Sequence, residues 1–349
     1  MAKKKTRDEE KLNYAAAVRR LKEEGPGRLY LLWGPEDYLR EQYLAQLKKI
    51  CLPEGDDGFS YKRMDGPALD ADELRFAVDA VPFLTERSFV ELRDIDINKL
   101  KEPEKYISVL SDIPDYCTVA FVQGIQFEPD GRLKLVKTLR ELSQELKFTQ
   151  QSQGMLIDWI TRRFAAAGKG ISLEAAQRLI FVSGDIMSGL IPEIEKVAAF
   201  AKGDRVTVED VDAVATHVPE AVIFDMTDLI AQKKYNTAMA VLGELLADKN
   251  NEPIAMLAVL GLQMRKLYAA RLAIDKELGT KFVMDACAIK YDYIASKLIS
   301  SARGFSLPQF KRAVEICAET DHRIKSSAQD DRELLKEAVL RIVAGEGHA

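Results

Sequence analysis

A chain of 349 residues, 47% of them hydrophobic and 30% charged, is long enough for two or three domains with cores of their own and excludes a disordered or fibrous protein. Its net charge of −5 excludes a global positive field that would draw it onto nucleic acid or anionic lipid, so any DNA contact has to be local or shared with partners. No run approaches the roughly 18 consecutive apolar residues of a membrane span, and Lys3, Lys4 and Lys5 lead into Asp8, Glu9 and Glu10 with no apolar signal segment; a cytoplasmic protein without a membrane partner is expected.

The first segment alternates helix and strand. Leu12 to Glu24 reads as a short amphipathic helix closed by Gly25, and Leu29 to Trp33 is a compact apolar run with the character of a buried parallel strand. Beyond the turn Gly34-Pro35-Glu36-Asp37, the apolar residues Leu39, Tyr43, Leu47 and Ile50 recur at helical spacing, with Asp37 as the expected cap. Phe59 and Tyr61 alternate with polar neighbours as a second strand; Ser88 to Leu92 and Thr118 to Val122 supply two more. Helices between such strands imply a parallel α/β sheet over residues 1–150.

Between the second and third strands, Asp70 to Glu73 reads as a capping box for a helix whose buried stripe is Leu74, Ala77, Val78 and Val81. Pro82 ends that helix and places Phe83 and Leu84 at its tip. Two readings of this pair stand: it folds back into the sheet, or it is offered to a partner.

After about Phe148 the strand signals disappear. Leu156 to Ala167, Leu173 to Phe181, Leu190 to Ala201 and Val208 to Ala215 read as four helices of a small domain over 151–217, with Thr207 and Asp210 forming a capping signature before the last. Pro219 marks a hinge, and from Phe224 onward the pattern is almost wholly helical, a third domain over 218–349. The cysteines Cys51, Cys117, Cys287 and Cys317 form no CxxC pair, and with only three histidines a zinc site is not expected; the thiols read as small buried apolar groups.

The strand, loop and helix around Gly34 occupy the place of a phosphate-binding loop, whose pattern is GxxxxGK[ST]. Gly34 matches it, but Leu39 stands at the second glycine, Arg40 at the lysine and Glu41 at the hydroxyl that would hold magnesium. Glu36 and Asp37 add carboxylates where an anion would sit. The third strand ends in Arg93-Asp94 where a nucleotidase carries Asp-Glu, and Asp94 with Asp96 reads as a metal pair or, with no third ligand close in sequence, as a solvated turn. No cofactor is expected.

These features resemble the delta subunit of the bacterial DNA polymerase III clamp loader, a non-hydrolysing relative of the AAA+ ATPases. The resemblance runs over nearly the whole chain through Leu29 to Leu39, Pro82 to Arg87, Pro192-Glu193-Ile194-Glu195-Lys196, Gln263 to Leu267 and Asp321 to Ser327. It implies an AAA+-like domain, a helical lid and a helical collar. Hydrolysing relatives carry a Gly-Ser-Met-Arg lid motif, against Gly184-Asp185-Ile186-Met187 here, and a Ser-Arg-Cys finger that this chain lacks.

The resemblance further implies a non-catalytic subunit that inserts Phe83 and Leu84 into the sliding clamp (the beta subunit) and holds the ring open. Its implied partners are the delta-prime and tau/gamma subunits of a hetero-pentamer, with primed DNA inside the complex. The rivals are an active AAA+ motor with a degenerate loop, a hydrolase built on Asp94 and Asp96, and a scaffold with no clamp contact. Arg265, Lys266, Arg323 and Lys325 read either as DNA contacts or as a solvated helix surface.

Overall fold

The computed structural model describes residues 14–52, 60–82, 85–249, 251–289 and 292–345. They divide into two compact units, one formed by 1–151 with 186–188, the other by 152–185 with 189–349.

In the first unit the order is α1 (Tyr14–Glu24), β1 (Leu29–Trp33), α2 (Asp37–Cys51), β2 (Tyr61–Asp65), α3 (Ala71–Asp79), β3 (Ser88–Arg93), α4 (Pro103–Leu110), β4 (Cys117–Val122), α5 (Lys134–Leu142) and β5 (Gln144–Lys147). The five strands are all parallel, in the order β2-β3-β4-β1-β5. Because helical crossovers cover both faces, β1 and β4 are buried at every position, as their unbroken apolar runs require. Leu29, Leu31 and Trp33 pack on one face with Val90, Leu92, Val119 and Phe121. On the other face Tyr30 meets Tyr43 of α2 at 6.3 Å, and Tyr43 meets Phe148 at 6.0 Å, between ring centroids.

The predicted helices and strands form close to their expected limits; Leu12 and Phe59 lie outside the described residues. Three expectations for this unit need correction. The sheet has a fifth strand, β5, whose polar sequence Gln-Glu-Leu-Lys carries no strand signal because it is an edge strand with a single fully buried side chain. The N-cap position of α2 is Glu36, not Asp37, and it makes no side-chain cap; the Asp37 carboxylate accepts instead from the Tyr38 N–H at 2.9 Å. At α3, Asp70 accepts from the N–H groups of Asp72 and Glu73, a cap made by one side chain, while Val81 falls beyond the helix and faces solvent.

The second unit contains α6 (Gln153–Ala166), β6 (Gly170–Ile171), α7 (Leu173–Ser183), most of α8 (Met187–Phe200), β7 (Arg205–Val206), α9 (Val208–Val214) and α10 (Pro219–Ala231). It continues with α11 (Tyr235–Ala247), α12 (Pro253–Asp275), α13 (Gly279–Cys287), α14 (Asp292–Ala302), α15 (Leu307–Ser326) and α16 (Asp331–Ala344). The expected absence of strands after Phe148 fails at one place, where β6 and β7 pair in parallel over two residues. Thr207 and Asp210 form the reciprocal capping box at α9.

Arg178 of α7 ties this unit together. Its guanidinium reaches Asp212 of α9 at 2.7 Å and Asp225 of α10 at 2.9 Å, and Lys297 of α14 approaches Asp225 at 3.5 Å. Cys51, Cys117 and Cys317 are buried, and burial pushes the Cys317 thiol up to about 12.

Candidate functional site

In a parallel α/β sheet, ligands bind beyond the carboxyl ends of the strands, so the site is built outward from the end of β1. Here Trp33 accepts from the Phe148 N–H at 2.7 Å, and Glu36 donates its N–H back to Phe148 at 3.1 Å. Gly34 lies between these bonds with φ of 120°, and a Cβ there would fall 2.9 Å from the Phe148 nitrogen and closer still to its carbonyl oxygen. The glycine is thus explained by the crossing of two backbones, with no phosphate needed.

The loop's own side chains occupy the space around it. Glu36 is fully buried, and its carboxylate accepts from the Met187 N–H at 3.2 Å, satisfying a donor at the first turn of α8. Asp37 accepts from the Ser188 hydroxyl at 2.7 Å. Residues 186–188 pack as part of the first unit, so these bonds are internal to it. They join the loop to Met187 and Ser188 at the start of α8.

Leu39 turns into the core and Arg40, 5% exposed, donates to the Gly34 carbonyl at 2.9 Å. The cation at the lysine position therefore holds the loop's backbone. Burial lowers its pKa, but a guanidinium remains charged.

Glu41 completes the set. Its two oxygens receive Nη1 and Nη2 of Arg93 at 2.8 and 2.9 Å, a bidentate pair between the first turns of α2 and the last residue of β3. Arg93 Nε also donates to Glu91 at 2.8 Å. Glu91, 0% exposed, accepts from Tyr61 at 2.8 Å and pairs with Lys48. Burial alone would raise the Glu91 carboxyl, but hydrogen bonds from Lys48, Arg93 and Tyr61 overcome that and hold it below its ordinary 4.5.

Sequence reasoning singled out Glu41 and Arg93 but missed Glu91, Lys48 and Tyr61. The signal was present: a carboxylate inside the buried run Phe89-Val90-Glu91-Leu92 needs cations beside it.

Asp94 and Asp96 line an open cleft beyond β3 and β4 with Arg93, Lys99 and Gln123. Asp94 adopts the left-handed φ of 56°, and Asp96 pairs with Lys99 at 2.8 Å. Among the described residues no three acids, histidines or cysteines gather as a metal site.

Phe83 and Leu84 lie outside the described residues. On their carboxyl side, the Thr85 hydroxyl is anchored to Ser60 and to the Arg87 carbonyl, each at 2.7 Å. Of the basic residues singled out, Arg323 pairs with Glu337 at 2.6 Å and Lys325 with Asp321 at 2.7 Å.

Fold and site together define a class: a five-stranded parallel α/β unit joined to a largely helical one, in which the loop after β1 is filled by the chain's own side chains. Comparison with known proteins narrows the class. Residues 220–342 match the family model for the DNA polymerase III delta subunit, C-terminal domain. DNA polymerase III subunit delta of Bacillus subtilis (strain 168) is 25% identical over 328 residues, 90% of this chain and 92% of that protein. The solved structure of the Bacillus subtilis DNA clamp loader delta protein is similar in fold, with a TM-score of 0.52 and 20% identity, covering 95% of this chain and 100% of that one. The chain is thus similar to the DNA polymerase III delta subunit over most of its length, and residues 220–342 match the model of that subunit's C-terminal domain.

Proposed function

We propose that this chain is the delta subunit of a DNA polymerase III clamp loader, that it performs no chemistry of its own, and that it binds the sliding clamp and stabilises the open ring for loading onto primed DNA. The observation that carries the absence of catalysis is the Glu41–Arg93 pair. It joins the position of the magnesium-binding hydroxyl to the position of the strand-end acid that would hold the same metal, and leaves neither for a nucleotide's magnesium. The tie between Glu36 and Met187 closes the same loop from the lid side.

Clamp binding is assigned to Phe83 and Leu84 at the end of the segment that follows α3. Burying a Phe and a Leu contributes about 1.5 to 3 kcal/mol each, enough for an anchor in the micromolar range when joined by a surrounding surface. An element complementary only to the open geometry shifts the ring's equilibrium by its difference in affinity for the two states.

In this reading residues 1–150 are the clamp-binding AAA+-like domain, 151–217 the lid and 218–349 the collar. The collar joins delta-prime and tau/gamma subunits in a hetero-pentamer, and those neighbours supply the ATP hydrolysis. The work is done in the cytoplasm; among the described residues no helix is long and apolar enough to cross a membrane.

Calorimetric titration of the purified chain tests the proposal, once with the cognate sliding clamp and once with magnesium and ATP. Clamp binding without measurable ATP binding is expected. Tight ATP binding with turnover would establish the motor instead, and a chain that ignores the clamp would be a scaffold.

A further inference from the structure

Within the second unit, α7, α10, α12 and α14 enclose a half-open cavity of about 330 Å³. Its floor is apolar, with Ile180, Ala221, Phe224 and Leu298 buried there. Gln263 of α12 forms part of the wall; it is 7% exposed, and its Nε2 meets no acceptor among the described residues. A buried amide donor without a partner costs the hydration it has lost, a cost that a leucine at the same place would avoid. An unmet donor on the wall of an open apolar cavity is the form of a site whose ligand supplies the acceptor.

The charges of the lining and the helix surface outside it select the ligand. Asp185 and Glu220 stand against a single cation, Lys266, so the lining offers a free carboxylate no surplus of positive charge. The acceptor is therefore an uncharged carbonyl. At the mouth Leu262 is 45% exposed, and Ala258 and Ile254, four and eight residues earlier on the same side of α12, continue the apolar surface outward, Ile254 being 38% exposed. At 1.5 Å per residue this strip is roughly 12 Å long. A small molecule held in the cavity would leave it bare, whereas about four extended residues of a polypeptide span it.

We propose that this cavity takes one apolar side chain from an extended, uncharged segment of a partner protein, whose backbone carbonyl accepts from Gln263 while the neighbouring residues lie along Leu262, Ala258 and Ile254. A side-chain amide carries a donor and an acceptor in the pattern of a peptide group, so a single peptide unit satisfies both. The main chain of the segment then supplies the polar contact, and the cavity reads its side chain.

The test titrates the full chain with the capped tetrapeptide acetyl-Leu-Ala-Leu-Ala-amide and, separately, with octanoate, following the Gln263 side-chain amide by NMR. Expected is saturable binding of the peptide at millimolar concentration or below, with the Nε2 protons of Gln263 shifted, and no shift with octanoate. Gln263→Leu weakens peptide binding about fivefold or more and melts no lower than the parent chain, because an unmet donor has been removed. Leu262→Asp, at an exposed position, weakens binding several-fold with the melting temperature unchanged. Octanoate binding as well as the peptide assigns the cavity to small amphipathic carboxylates, and Gln263 signals that move on concentrating the chain alone assign it to a second copy; either overturns the proposal. So does a Gln263 amide unmoved by the peptide, or a Gln263→Leu variant that melts many degrees lower, since the amide would then be holding the core.

Discussion

Arg93 closes on Glu41 with two parallel hydrogen bonds of 2.8 and 2.9 Å while its third donor reaches Glu91, so one guanidinium joins α2 to the interior of β3. The cation and the two carboxylates satisfy one another within the fold.

Removing the guanidinium leaves a buried carboxylate short of a donor. Arg93→Ala is expected to lower stability by about 1 to 3 kcal/mol. Arg93→Lys recovers only part of this, because an ammonium cannot make the bidentate pair. Urea denaturation of the three proteins checks the order.

Stability should fall on acidification through Glu91. Its folded pKa is depressed below the ordinary 4.5, so the stabilisation is fully present above about pH 4.5 and is lost as pH drops through the lower folded value. Glu91→Gln is expected to flatten that acid limb while lowering stability at neutral pH, where the amide satisfies Lys48 and Arg93 poorly. Thermal melts between neutral and acidic pH measure both effects.

Gly34→Ala forces a Cβ into the Phe148 backbone at a φ of 120°. A loss of about 3 kcal/mol or more is expected, with the β1–β5 pairing loosened. Faster amide exchange at Phe148 and Glu36, whose N–H groups cross this turn, is the diagnostic.

Phe83→Ala/Leu84→Ala is expected to weaken clamp binding by at least about a hundredfold without changing the melting temperature by more than a degree or two. Surface plasmon resonance on immobilised clamp reads the first, calorimetry the second. A melting temperature lowered by many degrees would mean the pair belongs to the core.

Much of this was written in local pattern. The unbroken run Leu29 to Trp33 announces a strand buried on both faces, and Leu74, Ala77 and Val78 announce the inner side of α3, because side-chain periodicity depends only on the geometry of each element. The departure of Leu39, Arg40 and Glu41 from the phosphate-loop pattern is legible for the same reason: it is a matter of residue identity at adjacent positions. What pairs with what was not. Glu41 and Arg93 are 52 residues apart, Glu36 and Met187 151 apart, and β5 is a strand only because β1 lies beside it. Such contacts are chosen by the packing of the whole chain, where a buried charge must find its partner wherever the fold brings one, and tertiary structure alone decided that Glu36 would meet Met187 and Glu41 would meet Arg93.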